Sequence, residues 1–129
     1  DWDGHMLNVV RRHLDDRVPK VAGLKGAPTS GTLVGHLGQI RPGSDVVITE
    51  GVFDSLTAAV AWPGAVVLGA HGISNLEEVI ATAAPRVKAN RGRMLLVPHP
   101  DGPGRAAAIP ASWERFRSTA PRCRTSGWA

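Results

Sequence analysis

Two carboxylates four residues apart give this chain its first chemical clue. The run Asp45-Val46-Val47-Ile48-Thr49 is apolar and β-branched, and Glu50-Gly51-Val52-Phe53-Asp54 follows it directly. A buried strand over Asp45–Thr49 delivers Glu50 to its carboxyl end, and the next helix carries Asp54 on its first turn. In open α/β sheets, binding sites form outside the carboxyl ends of strands. Paired carboxylates there suit a hard divalent cation and phosphate chemistry. A third acid, Asp101, stands just after the apolar run Arg93–Val97, with His99 two residues before it. If these strands run parallel, Glu50, Asp54 and Asp101 share one rim, with His99 close enough to join them. Taken singly, Glu50 could equally be a charge favoured by a helix dipole, and Asp54 could be a first-turn salt-bridge residue.

The surrounding sequence predicts the elements that position these groups. Phe53, Leu56, Ala59 and Val60 recur at helical spacing, and Pro63-Gly64 ends that helix. Ala65–Leu68 reads as a second buried strand, leading into Gly69-Ala70-His71-Gly72. Ser74 and Glu77 have the spacing of a capping box, and Leu76, Val79, Ile80, Ala83, Ala84 and Val87 form one apolar stripe. Pro85 should kink that helix or end its regular part. Arg93–Val97 is a third strand, Pro98–Gly104 a loop, and Arg105–Ser118 largely helical, broken at Pro110, with Ile109, Trp113 and Phe116 facing the core. Cys123–Trp128 reads either as a short fourth strand or as disorder. Before all this, Asp3-Gly4 marks a turn, His5–Leu14 an extended strand, and Thr32–Leu37 a short strand or turn. Residues 1–43 thus form a β-rich, basic preface and residues 44–129 an α/β core, its tail after 119 open. Alternating strands and helices imply a parallel sheet of three to four strands flanked by helices.

Bulk composition narrows the classes. The 129 residues suffice for one domain, or one with an appendage. Cys123 is the only cysteine, which excludes an internal disulfide and a cysteine-based zinc site and suggests a reducing, cytoplasmic home. No apolar run reaches membrane-spanning length, so no membrane role is expected. The first residue is Asp1, as expected of a piece excised from a longer protein. The net charge of +4 fits a polyanionic partner, although a solvated basic surface explains it almost as well. Lys20, Lys25, Arg11 and Arg12 are candidates for phosphate contact, and Arg105 sits at a helix start where a phosphate-facing role would explain it. His71 could touch phosphate or be a plain loop residue; His5, His13 and His36 have no ligand spacing and read as surface residues.

Val46–Asp54 resembles the first motif of the TOPRIM domain, an apolar strand followed by Glu-Gly-x-x-Asp. Val97–Gly104 resembles its second motif, a strand ending in Asp-x-Asp with a glycine soon after, and Leu68-Gly69-Ala70 resembles its small-residue turn. The likeness runs from Asp45 to about Ala108. Arg11-Arg12, Pro19-Lys20 and Gly23-Leu24-Lys25-Gly26 resemble the basic segment that precedes the TOPRIM core in primases of phages and mobile elements.

The resemblance implies a Rossmann-like TOPRIM fold and a DNA primase-like replication protein. Such a protein makes RNA primers by metal-dependent nucleotidyl transfer, with single-stranded DNA as template, nucleoside triphosphates as substrates and a helicase as a further partner. On that reading Glu50 and Asp101 are catalytic, and Glu50, Asp54, His99 and Asp101 hold the metal. Arg11, Arg12, Lys20, Lys25 and Arg105 contact nucleic acid or nucleotide. One departure bears on the metal. His99 stands where the family has an aspartate, and neutral imidazole is a poor ligand for Mg²⁺ but a good one for Mn²⁺. The alternatives are nuclease or topoisomerase-like chemistry, for which the chain has no tyrosine nucleophile, or a degenerate module that binds nucleic acid or a helicase without catalysis.

Overall fold

The computed structural model describes residues 1–16, 19, 21–97 and 123–125. In chain order the elements are β1 (Arg11–Arg12), β2 (Val21–Ala22), β3 (Leu33–Val34), a single 3₁₀ turn at Leu37–Gln39, β4 (Asp45–Glu50), α1 (Val52–Ala61), β5 (Val66–Ala70), α2 (Ile73–Ala89), β6 (Arg93–Val97) and β7 (Cys123–Thr125). The result is a small α/β protein, built among the described residues on a mixed sheet and two helices.

The five-stranded sheet has the order β3-β5-β4-β6-β7. β4 lies at its centre, parallel to β5 on one side and to β6 on the other, and β7 extends the parallel set. The expected parallel sheet needs one correction. Leu33 and Val34 pair antiparallel with Gly69 and Leu68, so the sheet is mixed. Only two residues long, β3 carries too little periodicity to reveal its direction in sequence. A separate antiparallel ribbon, β1 with β2, pairs Arg11 with Ala22 and Arg12 with Val21. The strand expected over His5–Leu14 shrinks to these two arginines.

Side chains alternate across the sheet and divide the core between the two helices. On one face Val46, Ile48, Leu68, Ala70, Met94 and Leu96 pack with the predicted α2 stripe, Leu76 to Val87, all six of whose residues are buried. On the other face Val47, Val67 and Val97 pack with Ala58 of α1. Each fully buried Val, Leu or Ile contributes about 1.5–3 kcal/mol. The helices thus cover opposite faces, as β-branched strands buried on both sides require.

Three local expectations change. Three of the four residues read as the apolar stripe of α1 point outward: Phe53, Leu56 and Val60 are exposed, Ala59 packs partly against the core, and Ser55 and Ala58 are the buried positions. α2 begins at Ile73 behind Gly72, with no side-chain cap, and Ser74 Oγ bonds Asn75 instead of closing a capping box. The helix also runs four residues past Pro85. Residues 98–122, including the expected Arg105–Ser118 helix, lie outside the described residues. Among those described, no helix is long and apolar enough to cross a membrane.

Candidate functional site

The turn from β4 into α1 is built from Gly51 and two buried hydroxyls. Gly51 has φ of 83°, a conformation that costs glycine little, and its N–H donates to the Ala70 carbonyl at 3.0 Å. Its carbonyl accepts from the Ser55 N–H at 3.2 Å and the Ser55 hydroxyl at 2.6 Å. The Ser55 and Thr49 hydroxyls lie 2.8 Å apart, and both residues are fully buried. Gly69 makes this approach feasible, because a Cβ there would stand 1.9 Å from Ser55 Oγ.

That turn holds Glu50 and Asp54 at the carboxyl end of the central strand. Both are half-buried, and Glu50 Oε2 is shielded from solvent. Glu50 is level with Ala70 of β5, and Val97 at the end of β6 is level with Thr49, so three parallel strands finish at this edge. Strand order reverses about β4, which makes the edge a topological switch point, the usual place for a ligand in an open α/β sheet. A cavity of about 620 Å³ opens there, lined by Glu50, Asp54, Phe53 and His71 from the core and by Asn8, Val21 and Leu33 from the preface.

The basic preface reaches the same rim. The Arg12 guanidinium lies 4.9 Å from the Phe53 ring centroid, a cation–π contact that places β1 against the first turn of α1, beside Asp54. Arg11 is exposed on the same strand. Lys25 is exposed in a turn closed by Ala27 N–H to Leu24 O at 3.1 Å, and it does not line the cavity. Lys20, His99, Asp101 and Arg105 lie outside the described residues.

His71 is half-buried on the cavity wall. Burial pulls its imidazole below the ordinary value, and the terminal ammonium adds to this, so both favour the neutral ring. His36, expected at the surface, is half-buried instead. Its ring lies between Gly4 and Gly38, where a Cβ on either glycine would approach within 2.9 Å.

A second cavity of about 580 Å³ lies at the opposite end of the strands, beside Trp62. Its charged groups are committed to each other: Arg93 Nε donates to Asp45 Oδ1 at 2.6 Å and Nη2 donates to Oδ2. The carboxylate rim is therefore the better site for a polar ligand. Among the described residues, no group of three His, Cys, Asp or Glu side chains is placed to hold a metal. Two half-buried carboxylates on one cavity do match the needs of Mg²⁺, which takes one or two carboxylates and completes its shell with waters and substrate phosphates.

Thr49, Ser55 and His71 carry parts of this site that the motifs did not assign. A threonine closing an apolar run and a serine inside an otherwise apolar helix were the available signals. The fold and site define a small α/β protein with an acidic rim at its topological switch point. No protein-family model, curated protein or solved structure matches the chain.

Proposed function

We propose that this chain is a TOPRIM-like catalytic domain of a DNA primase-like replication protein, performing metal-dependent nucleotidyl transfer that makes RNA primers on single-stranded DNA. The observation that carries this reading is the placement of Glu50 and Asp54. One ends the central strand, the other sits on the first turn of the following helix, and both line one cavity.

Glu50 and Asp54 would hold Mg²⁺ or Mn²⁺, which neutralises charge developing on the phosphates and orients the attacking and leaving oxygens. Glu50, half-shielded from water, is the primary ligand or acid–base group. Asp54 is fixed relative to it by the Ser55–Gly51–Thr49 contacts. Arg12, beside the rim, supplies positive charge for template or triphosphate. Asp101 and His99, which follow β6 in the sequence, complete the ligand set in this reading.

Titrating Mn²⁺ into the chain tests the site by paramagnetic broadening of amide resonances. Broadening centred on Gly51 and Asp54 and abolished by Glu50→Gln is expected; broadening that is unchanged in Glu50→Gln overturns the metal-site assignment. Template-dependent ribonucleotide polymerisation that is lost in Glu50→Gln distinguishes a primase from a nuclease, which would cut DNA without ribonucleotides. His99, standing where the family pattern has an acid, favours a second reading, a binding module without catalysis. Single-stranded DNA binding that persists in Glu50→Gln, with no polymerisation by either form, would select it.

A further inference from the structure

A smaller compartment adjoins the carboxylate rim. It encloses about 330 Å³ between the N-terminal segment and the sheet edge. Val10, Leu33, Val52 and His71 line both this compartment and the larger cavity that holds Glu50 and Asp54, so the two are neighbours sharing a wall. Its volume falls at the lower end of the roughly 300–1,000 Å³ typical of small-molecule sites.

The walls discriminate between ligand chemistries. Leu7, Val10, Pro28, Leu33 and Val52 supply apolar surface, His36 and His71 supply imidazole edges, and Asp1 and His5 close one end. The Asp1 ammonium donates to His5 O at 2.6 Å and its carboxylate accepts from His5 N–H at 2.9 Å, so both charges are engaged within the N-terminal turn. No lysine or arginine is among the described residues that line the compartment, so it offers a phosphate no unengaged cation. A metal ion is disfavoured too, since the histidines near it form no three-ligand group among the described residues. Apolar walls with a few hydrogen-bonding groups suit a flat, uncharged heterocycle. A neutral imidazole at His71 offers such a ring one donor and one acceptor.

The compartment is also held in shape. The Asn8 side chain accepts from Val9 N–H at 2.8 Å and Leu24 N–H at 3.0 Å, and donates to Pro28 O at 3.2 Å, joining three stretches of the preface. Asn75 at the start of α2 donates to Thr29 O at 3.0 Å, fastening that preface to the core. Leu37 N–H donates to Trp2 O at 3.1 Å, and the His36 ring is wedged between Gly4 and Gly38. A site fastened this way loses little entropy when a ligand enters.

We propose that this compartment seats the base of the nucleoside triphosphate whose phosphates lie against Glu50 and Asp54. The inference rests on reading that rim as a phosphate site. Nucleotide recognition is then bipartite: phosphates lie on the acidic side, the base on the apolar side, and His71 stands on the wall between them.

Titration of the chain with ATP and, separately, with inorganic tripolyphosphate, both with Mg²⁺, tests this by NMR. ATP should shift the ring resonances of His36 and the methyls of Leu7 and Val34, which line the compartment but not the larger cavity. Tripolyphosphate should shift Gly51 and Asp54 and leave those methyls in place. Leu7→Trp, which fills the compartment, should weaken ATP about tenfold, as loss of a well-packed ring contact near 1.4 kcal/mol would, while tripolyphosphate keeps its affinity. If ATP leaves the methyls and His36 unmoved, the proposal falls, whether or not tripolyphosphate binds. If tripolyphosphate does not bind but ATP or adenosine moves the methyls, the base site stands and the phosphate reading of the rim falls instead. The unsubstituted chain carries the shift mapping, so an unfolded Leu7→Trp leaves the question decidable.

Discussion

Thr49 and Ser55 meet hydroxyl to hydroxyl at 2.8 Å, both fully buried, and each is the chain neighbour of one carboxylate. Thr49 precedes Glu50 and Ser55 follows Asp54, so one hydrogen bond fixes the spacing of the two acids from inside the fold. Ser55 also donates to the Gly51 carbonyl within the same turn. A buried hydroxyl deprived of its partner pays its full desolvation cost.

Ser55→Ala removes the partner of Thr49 and should destabilise the chain by about 1–3 kcal/mol. Adding Thr49→Val removes the orphaned hydroxyl, so the double variant should lose less than the two single losses combined. Urea unfolding of the four proteins measures the coupling. Strict additivity would show that the two hydroxyls act independently.

Gly69→Ala attacks the same contact from the opposite strand. Its Cβ would stand 1.9 Å from Ser55 Oγ and 2.9 Å from Leu33 Cβ, too close for either to remain in place. Overpacking of this kind costs about 1–3 kcal/mol. Because β4, β5 and α1 meet here, amide shifts should spread to Gly51 and Asp54. An alanine variant with an unchanged urea midpoint and an unperturbed rim would refute the close approach.

The sequence made the sheet legible where burial on both faces demanded long β-branched runs. Arg93–Val97 forms the strand expected, and the α2 stripe from Leu76 to Val87 is buried throughout. Helical spacing misled at α1, where Phe53, Leu56 and Val60 of the expected stripe are exposed and Ala59 alone of that stripe packs inward, while small Ser55 and Ala58 let the helix sit close to β5. There a close backbone approach outranked side-chain hydrophobicity. β3 was ambiguous because two residues cannot display a period. At the site, the motif made legible the placement of Glu50 at a strand end and of Asp54 on the first turn of the next helix. For His71 the sequence left open a phosphate contact or a plain loop residue, because its placement depends on a preface folded over the rim, a contact between distant segments that spacing cannot encode.

The Asp45–Arg93 pair joins the amino ends of β4 and β6 in a two-point contact. The Arg93 side chain donates to the Asp45 carboxylate and, with its positive charge, holds that carboxyl below its usual range. A depressed folded-state value means the contribution is present above the unfolded value near 3.8 and is lost as pH falls through the folded one. Both side chains are substantially exposed, so the benefit is small and screened by salt. Asp45→Asn should lower the urea midpoint slightly at neutral pH, and the difference should vanish in strong acid and shrink in high salt. A difference that persists in acid would contradict the pairing.

His71 gives the opposite pH signature. Its folded-state value lies below the ordinary 6.5, chiefly because burial disfavours the charged ring. Above that value the imidazole is neutral in both folded and unfolded chains and contributes nothing. As pH falls through it, the unfolded chain takes up a proton that the folded chain resists, so stability drops until the folded value is passed. Stability should therefore rise with pH across the mildly acidic window, and His71→Gln should flatten that rise. The ring titration, followed by NMR, should show a midpoint below that of a free histidine side chain. A midpoint at or above the ordinary value, or an identical pH profile in His71→Gln, would show that the ring is solvated and that the preface does not close over the rim. Nucleotide binding should sharpen the effect, because a base seated against His71 shields the ring further from water and pushes the midpoint lower still.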